Sequence, residues 1–156
     1  YEPWAGEVHV WGVDAAQLAP QARRRFVGHV DQAFKAMPGT VADQITLGDP
    51  GISREEMTQA AQLAGIGAAL EALPQGYDTP YAEGLLSQGQ TQLLSIARAV
   101  AANPKLLLLD EITANLDSGT EQQVMEALRR ASQNRAVLSI SHRLYEQSGQ
   151  GCIVQI

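Results

Sequence analysis

Two spacings of apolar residues organise this chain. Near the start, Val8, Val10 and Gly12 alternate with polar neighbours and read as a strand ending at a turn. Pro20 opens a short helix through Arg23-Arg24-Arg25, and residues 26–30 read as a buried strand. Thr40, after Gly39, is placed to N-cap another short helix, and Asp49-Pro50-Gly51 reads as a turn. Ser53 and Glu56 form a capping-box pattern ahead of a helix over 54–64. Gly65 and Gly67 break it, a second short helix stops before Pro74, and residues 73–84, rich in Pro, Gly, Asp and Thr, read as loop.

From residue 90 the pattern sharpens. Apolar positions 93, 94, 96, 97, 100 and 101 have helical spacing over 90–102, and Pro104 ends that helix. Residues 106–109 are four leucines, as expected of a buried parallel strand. Ser118 and Glu121 form a second capping box ahead of a helix to about 132. Residues 136–140 read as another buried strand and 152–156 as a third. Helix, strand, helix, strand predicts a parallel α/β sheet. The chain from about 35 to 102 is expected to be a mostly helical subdomain, and 103–156 the C-terminal part of an α/β core.

Composition narrows the role. A chain of 156 residues suits one domain, and its 45% apolar content suits a packed core. The net charge of −6, with no Lys/Arg stripe, argues against nucleic acid as a partner. The arginine run reads as a solvated helix face. A single cysteine, Cys152, cannot form an intrachain disulfide. No stretch approaches the ~20 apolar residues of a membrane span, so a membrane role would come through a partner or another part of a longer protein. Tyr1-Glu2-Pro3-Trp4 does not read as a signal peptide.

Two segments carry candidate chemistry. The leucine strand runs into Asp110-Glu111, and ligands of open parallel sheets bind at carboxyl ends of strands. One carboxylate there can hold Mg²⁺ and a second can act as general base; equally, an acidic pair can simply begin a loop. Leu86-Ser87-Gln88-Gly89-Gln90 stands at a helix start, where free N–H groups and the dipole suit an anion. Ser87 can equally be an ordinary N-cap.

Taken together, LSQGQ at 86–90, LLLLDE at 106–111, ANLD at 114–117 and Ser141-His142 closely resemble the ABC ATPase family. LSQGQ resembles the signature motif, LLLLDE the Walker B motif and ANLD the D-loop. His142 stands as the switch histidine, and Gln32 falls where the family has its Q-loop glutamine. GTVADQI at 39–45 and YDTPYAEG at 77–84 resemble segments of the family's exporters. The resemblance implies an incomplete P-loop NTPase-like parallel sheet with a helical signature subdomain, using ATP and Mg²⁺. It implies Glu111 as catalytic base and Asp110 as organiser of Mg²⁺. Gln32 would contact Mg²⁺ and the attacking water and sense the transmembrane partner, and His142 would contact the γ-phosphate. Ser87 and Gly89, with Gln90, would meet nucleotide held by a second ABC ATPase domain, and Asp117 would couple the two sites.

The sequence departs from the family pattern in one large way: it contains no G-x-x-x-x-G-K-[S/T]. The expectation is a fragment beginning just downstream of that phosphate-binding loop, with Tyr1 and Trp4 as packing residues. Smaller departures are Gln88 in the glycine pair, Asp31 where proline is usual before the glutamine, a short loop over 83–86 and a quick approach to the last strand. The parent protein is therefore expected to be an ATP-driven exporter at the cytoplasmic face of the membrane, working with a permease domain and as a dimer of such ATPase domains. The chain alone is expected to be inactive, with an exposed sheet inviting self-association or domain swapping. The alternative is a truncated, non-catalytic module. A soluble ATPase of DNA repair or translation would bring heptad arms or a basic surface, and neither is present.

Overall fold

In the computed structural model the described residues are 6, 7, 9, 10, 12–17, 19–31, 33–110, 112 and 117–140. A short antiparallel hairpin, β1 (His9–Val10) and β2 (Val13–Asp14), turns at Gly12 with φ 79° and matches the early strand expectation. Helix α1 (Pro20–Phe26) begins with Pro at its first position, where a missing N–H does no harm. It feeds straight into β3 (Val27–Val30), so Phe26 closes the helix rather than opening the strand.

The helical layer follows. Thr40 caps α2 (Val41–Thr46) in a capping box with Asp43, and Ser53 caps α3 (Arg54–Leu63) in a box with Glu56. Gly67 does not break a helix but begins one, α4 (Gly67–Glu71). Within the expected loop, residues 76–78 form one 3₁₀ turn. Helix α5 (Gln88–Val100) starts two residues earlier than its apolar spacing indicates, because Ser87 and Gln90 cap it. Asn103, at φ 49°, and Pro104 then prevent its continuation.

The second sheet has order β3-β4-β5, all parallel, with β4 (Leu106–Asp110) central and β5 (Ala136–Ile140) beyond it. Helix α6 (Ser118–Ala131) joins β4 to β5. Its N-cap is Asp117 rather than Ser118. The carboxylate, one residue earlier, accepts from both Gly119 N–H and Thr120 N–H, and its negative charge suits the helix N-terminus. The α/β architecture with a parallel sheet agrees with the sequence reading.

Helix α5 is the keystone of the packing, set against α2, α3, α6 and β3. Its Leu94, Ile96 and Ala97 are fully buried with Val41, Ile45, Leu70, Leu107 and Val124. Gly28 permits the closest approach: a Cβ there would overlap the Ala99 carbonyl and crowd Leu107 and Pro104. Alternate strand residues Leu107 and Leu109 face this core. On β5, Val137 and Leu138 are 42% and 58% exposed. Arg23 and Arg25 are exposed, as read from the sequence, but Arg24 is half-buried: it donates to the Thr46 and Ile45 carbonyls at the end of α2 and to the Arg98 carbonyl, while Arg25 donates to the Gly51 carbonyl.

Candidate functional site

The three parallel strands finish side by side. Val30 pairs in register with Leu109, and Asp110 with Ile140. Positions 32, 111 and 142 of the chain come one or two residues after those ends, which is how three strands can deliver side chains to one edge. Gln32, Glu111 and His142 themselves lie outside the described residues, as do 114–116 of ANLD, Tyr1, Trp4, Cys152 and the expected strand over 152–156.

Asp110, Ser87, Gly89, Gln90 and Asp117 are described, and they divide into two groups. Asp110 alternates with Leu106 and Leu108, so its half-buried carboxylate leaves the sheet on the face opposite the α5 side, where Leu107 and Leu109 are packed. Ser87 stands at the N-terminus of α5, the helix covering that other face.

At the start of α5, the Ser87 hydroxyl oxygen accepts from Gln90 N–H at 3.2 Å, and the Gln90 side-chain oxygen accepts from Ser87 N–H at 3.0 Å. The N–H groups of Gln88 and Gly89 remain, with no acceptor among the described residues. The first turn holds no acidic residue. This arrangement suits an approaching anion.

Gly89 has a different reason to be glycine from the one its motif suggests. Its Cα faces α6, and a Cβ would overlap Thr120 Cγ2. The two helix starts are therefore tied by contact. Asp117, on the α6 side, has its carboxyl held below the ordinary aspartate range, first by the Thr120 hydroxyl and then by the Thr120 and Gly119 amides.

Comparison with known proteins decides the family. The sequence profile described as "ABC transporter" matches residues 1–114. The chain belongs to the ABC transporter family. Similar proteins include the ATM1-type heavy metal exporter of Novosphingobium aromaticivorans, 40% identical over 146 residues that make up 92% of this chain and 24% of that protein. P-glycoprotein 14 of Caenorhabditis elegans is 40% identical over 92% of this chain and 11% of its own length. Among solved structures, a bacterial Atm1-family ABC exporter with ATP bound superposes with TM-score 0.73 at 40% identity, covering 92% of this chain and 26% of that one. The ABC chain described here thus spans about a quarter or less of the length of these relatives.

Within this ABC domain, a cleft of about 650 Å³ opens between the segment after position 32 and the start of α5. Phe34, Tyr81, Gln88, Thr91, Gln92 and Ile112 line it. The Phe34 and Tyr81 rings meet there with centroids 5.8 Å apart. The buried Gln92 side-chain nitrogen has no hydrogen-bond partner among the described residues. Sequence reasoning passed over two residues beside the cleft, Arg98 and Gln44. Gln44 is fully buried, and the Arg98 guanidinium lies 4.0 Å from the centre of the Phe34 ring. The available signal was a lone arginine in the otherwise apolar run Ile96-Ala97-Arg98-Ala99-Val100.

Proposed function

We propose that this chain is the greater part of an ATP-hydrolysing domain of an ABC exporter, acting at the cytoplasmic face of a membrane beneath a permease domain. The observation carrying this reading is the start of α5, capped by the neutral Ser87 and Gln90, with the Gln88 and Gly89 N–H groups left without an acceptor among the described residues. A second copy related by a two-fold axis could complete each nucleotide site with this helix start. Each site would then combine Asp110 and Glu111 of one copy with Ser87, Gly89 and Gln90 of the other, with Asp117 between them.

The residues fit the ligand. The Ser87 hydroxyl and the free N–H groups of Gln88 and Gly89 are neutral donors for phosphate oxygens. Among the described residues no three His, Cys, Asp or Glu side chains converge. Asp110 would hold a magnesium ion together with phosphate and water oxygens, the ordinary mode for that ion. Bound MgATP supplies the phosphoanhydride whose cleavage drives transport. Glu111 would draw the proton from the attacking water, Gln32 would orient that water and contact the ion, and His142 would reach the terminal phosphate. The cleft beside residues 33–36 borders the segment that would sense the permease.

The 156 residues include no phosphate-cradling G-x-x-x-x-G-K-[S/T], so the chain by itself is inferred to bind MgATP weakly and not to turn it over. Its exposed β5 residues favour self-association. The deciding measurement is phosphate release by the longer exporter and its Glu111→Gln variant. The expected loss is about 10²-fold or more with nucleotide binding retained. Undiminished turnover in the variant sinks the assignment of the base. Titration calorimetry of MgATP into the 156-residue chain should give no heat at millimolar nucleotide; tight binding there overturns the account of the absent loop.

A further inference from the structure

The segment just after Gln32 is held in an unusual way. Residues 33–38 lie between β3 and the α2 cap and make no backbone–backbone hydrogen bond among the described residues. Two side chains from the helical layer hold them instead. Gln44 of α2 accepts from Met37 N–H at 2.9 Å and donates to the Met37 carbonyl at 2.8 Å, imitating a strand partner. Arg98 of α5 donates to the Lys35 carbonyl at 2.9 Å, to the Gln44 carbonyl at 2.5 Å and to the Gln44 side-chain oxygen at 3.3 Å. The Phe34 ring covers its guanidinium. The Arg98 carbonyl in turn accepts from Arg24. Burial lowers the Arg98 pKa to about 10, with Tyr81 and Asp31 opposing the shift and Arg24 adding to it.

We propose that Arg98 and Gln44 form a positioning clamp that fixes the backbone following Gln32 to the helix carrying Ser87. The two candidate half-sites would serve different nucleotides, so a rigid tie between them would let one sense the state of the other. Arg98 touches no nucleotide; it acts through the backbone at Lys35 and Met37. A planar guanidinium suits this task, since its fork reaches two carbonyls and an amide oxygen at once while stacking on a ring. The functional consequence rests on the ATPase reading above, whereas the clamp itself does not.

Two readouts separate those layers. The first is amide hydrogen exchange at Met37 in the 156-residue chain, measured residue by residue. Arg98→Lys should lower Met37 protection about tenfold while leaving α6 amides such as that of Leu128 unchanged. Phe34→Leu, a milder change that keeps every hydrogen bond, should lower it about twofold. Lys35→Ala should have no effect, because Lys35 contributes only its carbonyl. The second readout is steady-state ATP hydrolysis by the longer exporter. Arg98→Lys should lower kcat per folded domain about tenfold with KM for ATP nearly unchanged, as expected when a water-orienting group is displaced but the nucleotide is still gripped. Unchanged Met37 protection in Arg98→Lys, or an equal loss in α6, overturns the clamp. Lost protection with wild-type kcat overturns its catalytic consequence. Absence of turnover in the wild type sinks the ATPase reading and leaves the exchange result to decide the clamp.

Discussion

Helices α5 and α6 start within contact of each other, yet their N-termini are built for opposite purposes. At α6 the Asp117 carboxylate takes two backbone N–H groups and places a negative charge on the helix end. Helices α2 and α3 follow the same rule with Asp43 and with Glu55 and Glu56 in their first turns. At α5 the cap is made of Ser87 and Gln90, both neutral, and the first turn has no acid. Three capped helices have satisfied their positive ends from within the chain. The fourth has satisfied its geometry but not its charge, and it is the helix whose start resembles the signature motif. A ready-capped helix whose charge is left unanswered is stable without its ligand and still attractive to it.

The sharpest way to break this contrast is to make α5 resemble its neighbours. Gln90→Glu would preserve the capping box and add a carboxylate to the first turn, stabilising the fold by about 0.3–1 kcal/mol through the dipole. In the longer exporter the same charge would oppose nucleotide phosphates, and ATP turnover should fall about tenfold or more. Thermal melting and phosphate release, measured on the same variant, should therefore move in opposite directions. If both rise, α5 is an ordinary helix start and no anion approaches it.

The contact between the two starts gives the next largest effect. In Gly89→Ala the new methyl meets Thr120 Cγ2, and overpacking of about 1–3 kcal/mol is offset by about 1 kcal/mol of helix propensity. A net loss of up to about 2 kcal/mol should appear in denaturant unfolding. Adding Thr120→Ser removes Cγ2, keeps the hydroxyl that bonds Asp117, and should recover most of that loss. No recovery would mean that the glycine is needed for backbone freedom instead of proximity.

These contrasts also mark what a sequence can and cannot say. The caps at Thr40, Ser53 and Ser87 were legible because a cap is a bargain among residues three apart. The strands over 106–109 and 136–140 were legible as continuous apolar runs, although β4 runs one residue further and β5 is exposed at Val137 and Leu138 instead of buried. At 117–118 two cap-forming residues stand together, and only geometry selects the carboxylate with two N–H groups in reach. Gln32, Glu111 and His142 were read from their motifs alone. Arg24, Gln44 and Arg98 were missed for a plainer reason. The partners of Arg24 and Arg98 lie 21 to 74 residues away and are mostly backbone carbonyls, and Gln44, though Met37 is only seven residues off, also bonds backbone, which carries no residue-type signal. Thr120 as the reason for Gly89 is likewise a contact between helices, absent from the motif's own letters.

Two smaller effects complete the comparison. Ser87→Ala removes the hydroxyl that accepts from Gln90 N–H and should lower stability by about 1 kcal/mol at every pH, read from urea midpoints. The other three caps should instead be sensitive to acid. Asp43 and Glu56 have lowered pKa values, caused first by the backbone N–H groups of Thr40 and Ser53 and next by their hydroxyls; Asp117 is lowered first by the Thr120 hydroxyl. A lowered native pKa means that the unfolded chain binds more protons in the window between the two values. The stabilisation is then complete above the ordinary 3.8 of aspartate and 4.5 of glutamate, and it is lost as pH falls through the lowered native values. Melting temperature followed from pH 7 to 3 should decline, less steeply in Asp117→Asn and more steeply in Gln90→Glu, which adds a fourth titrating cap. Ser87→Ala should shift the whole curve without altering its slope. A changed slope there would show that the α5 start carries a titrating partner, and the distinction between the neutral cap and the charged ones would fall.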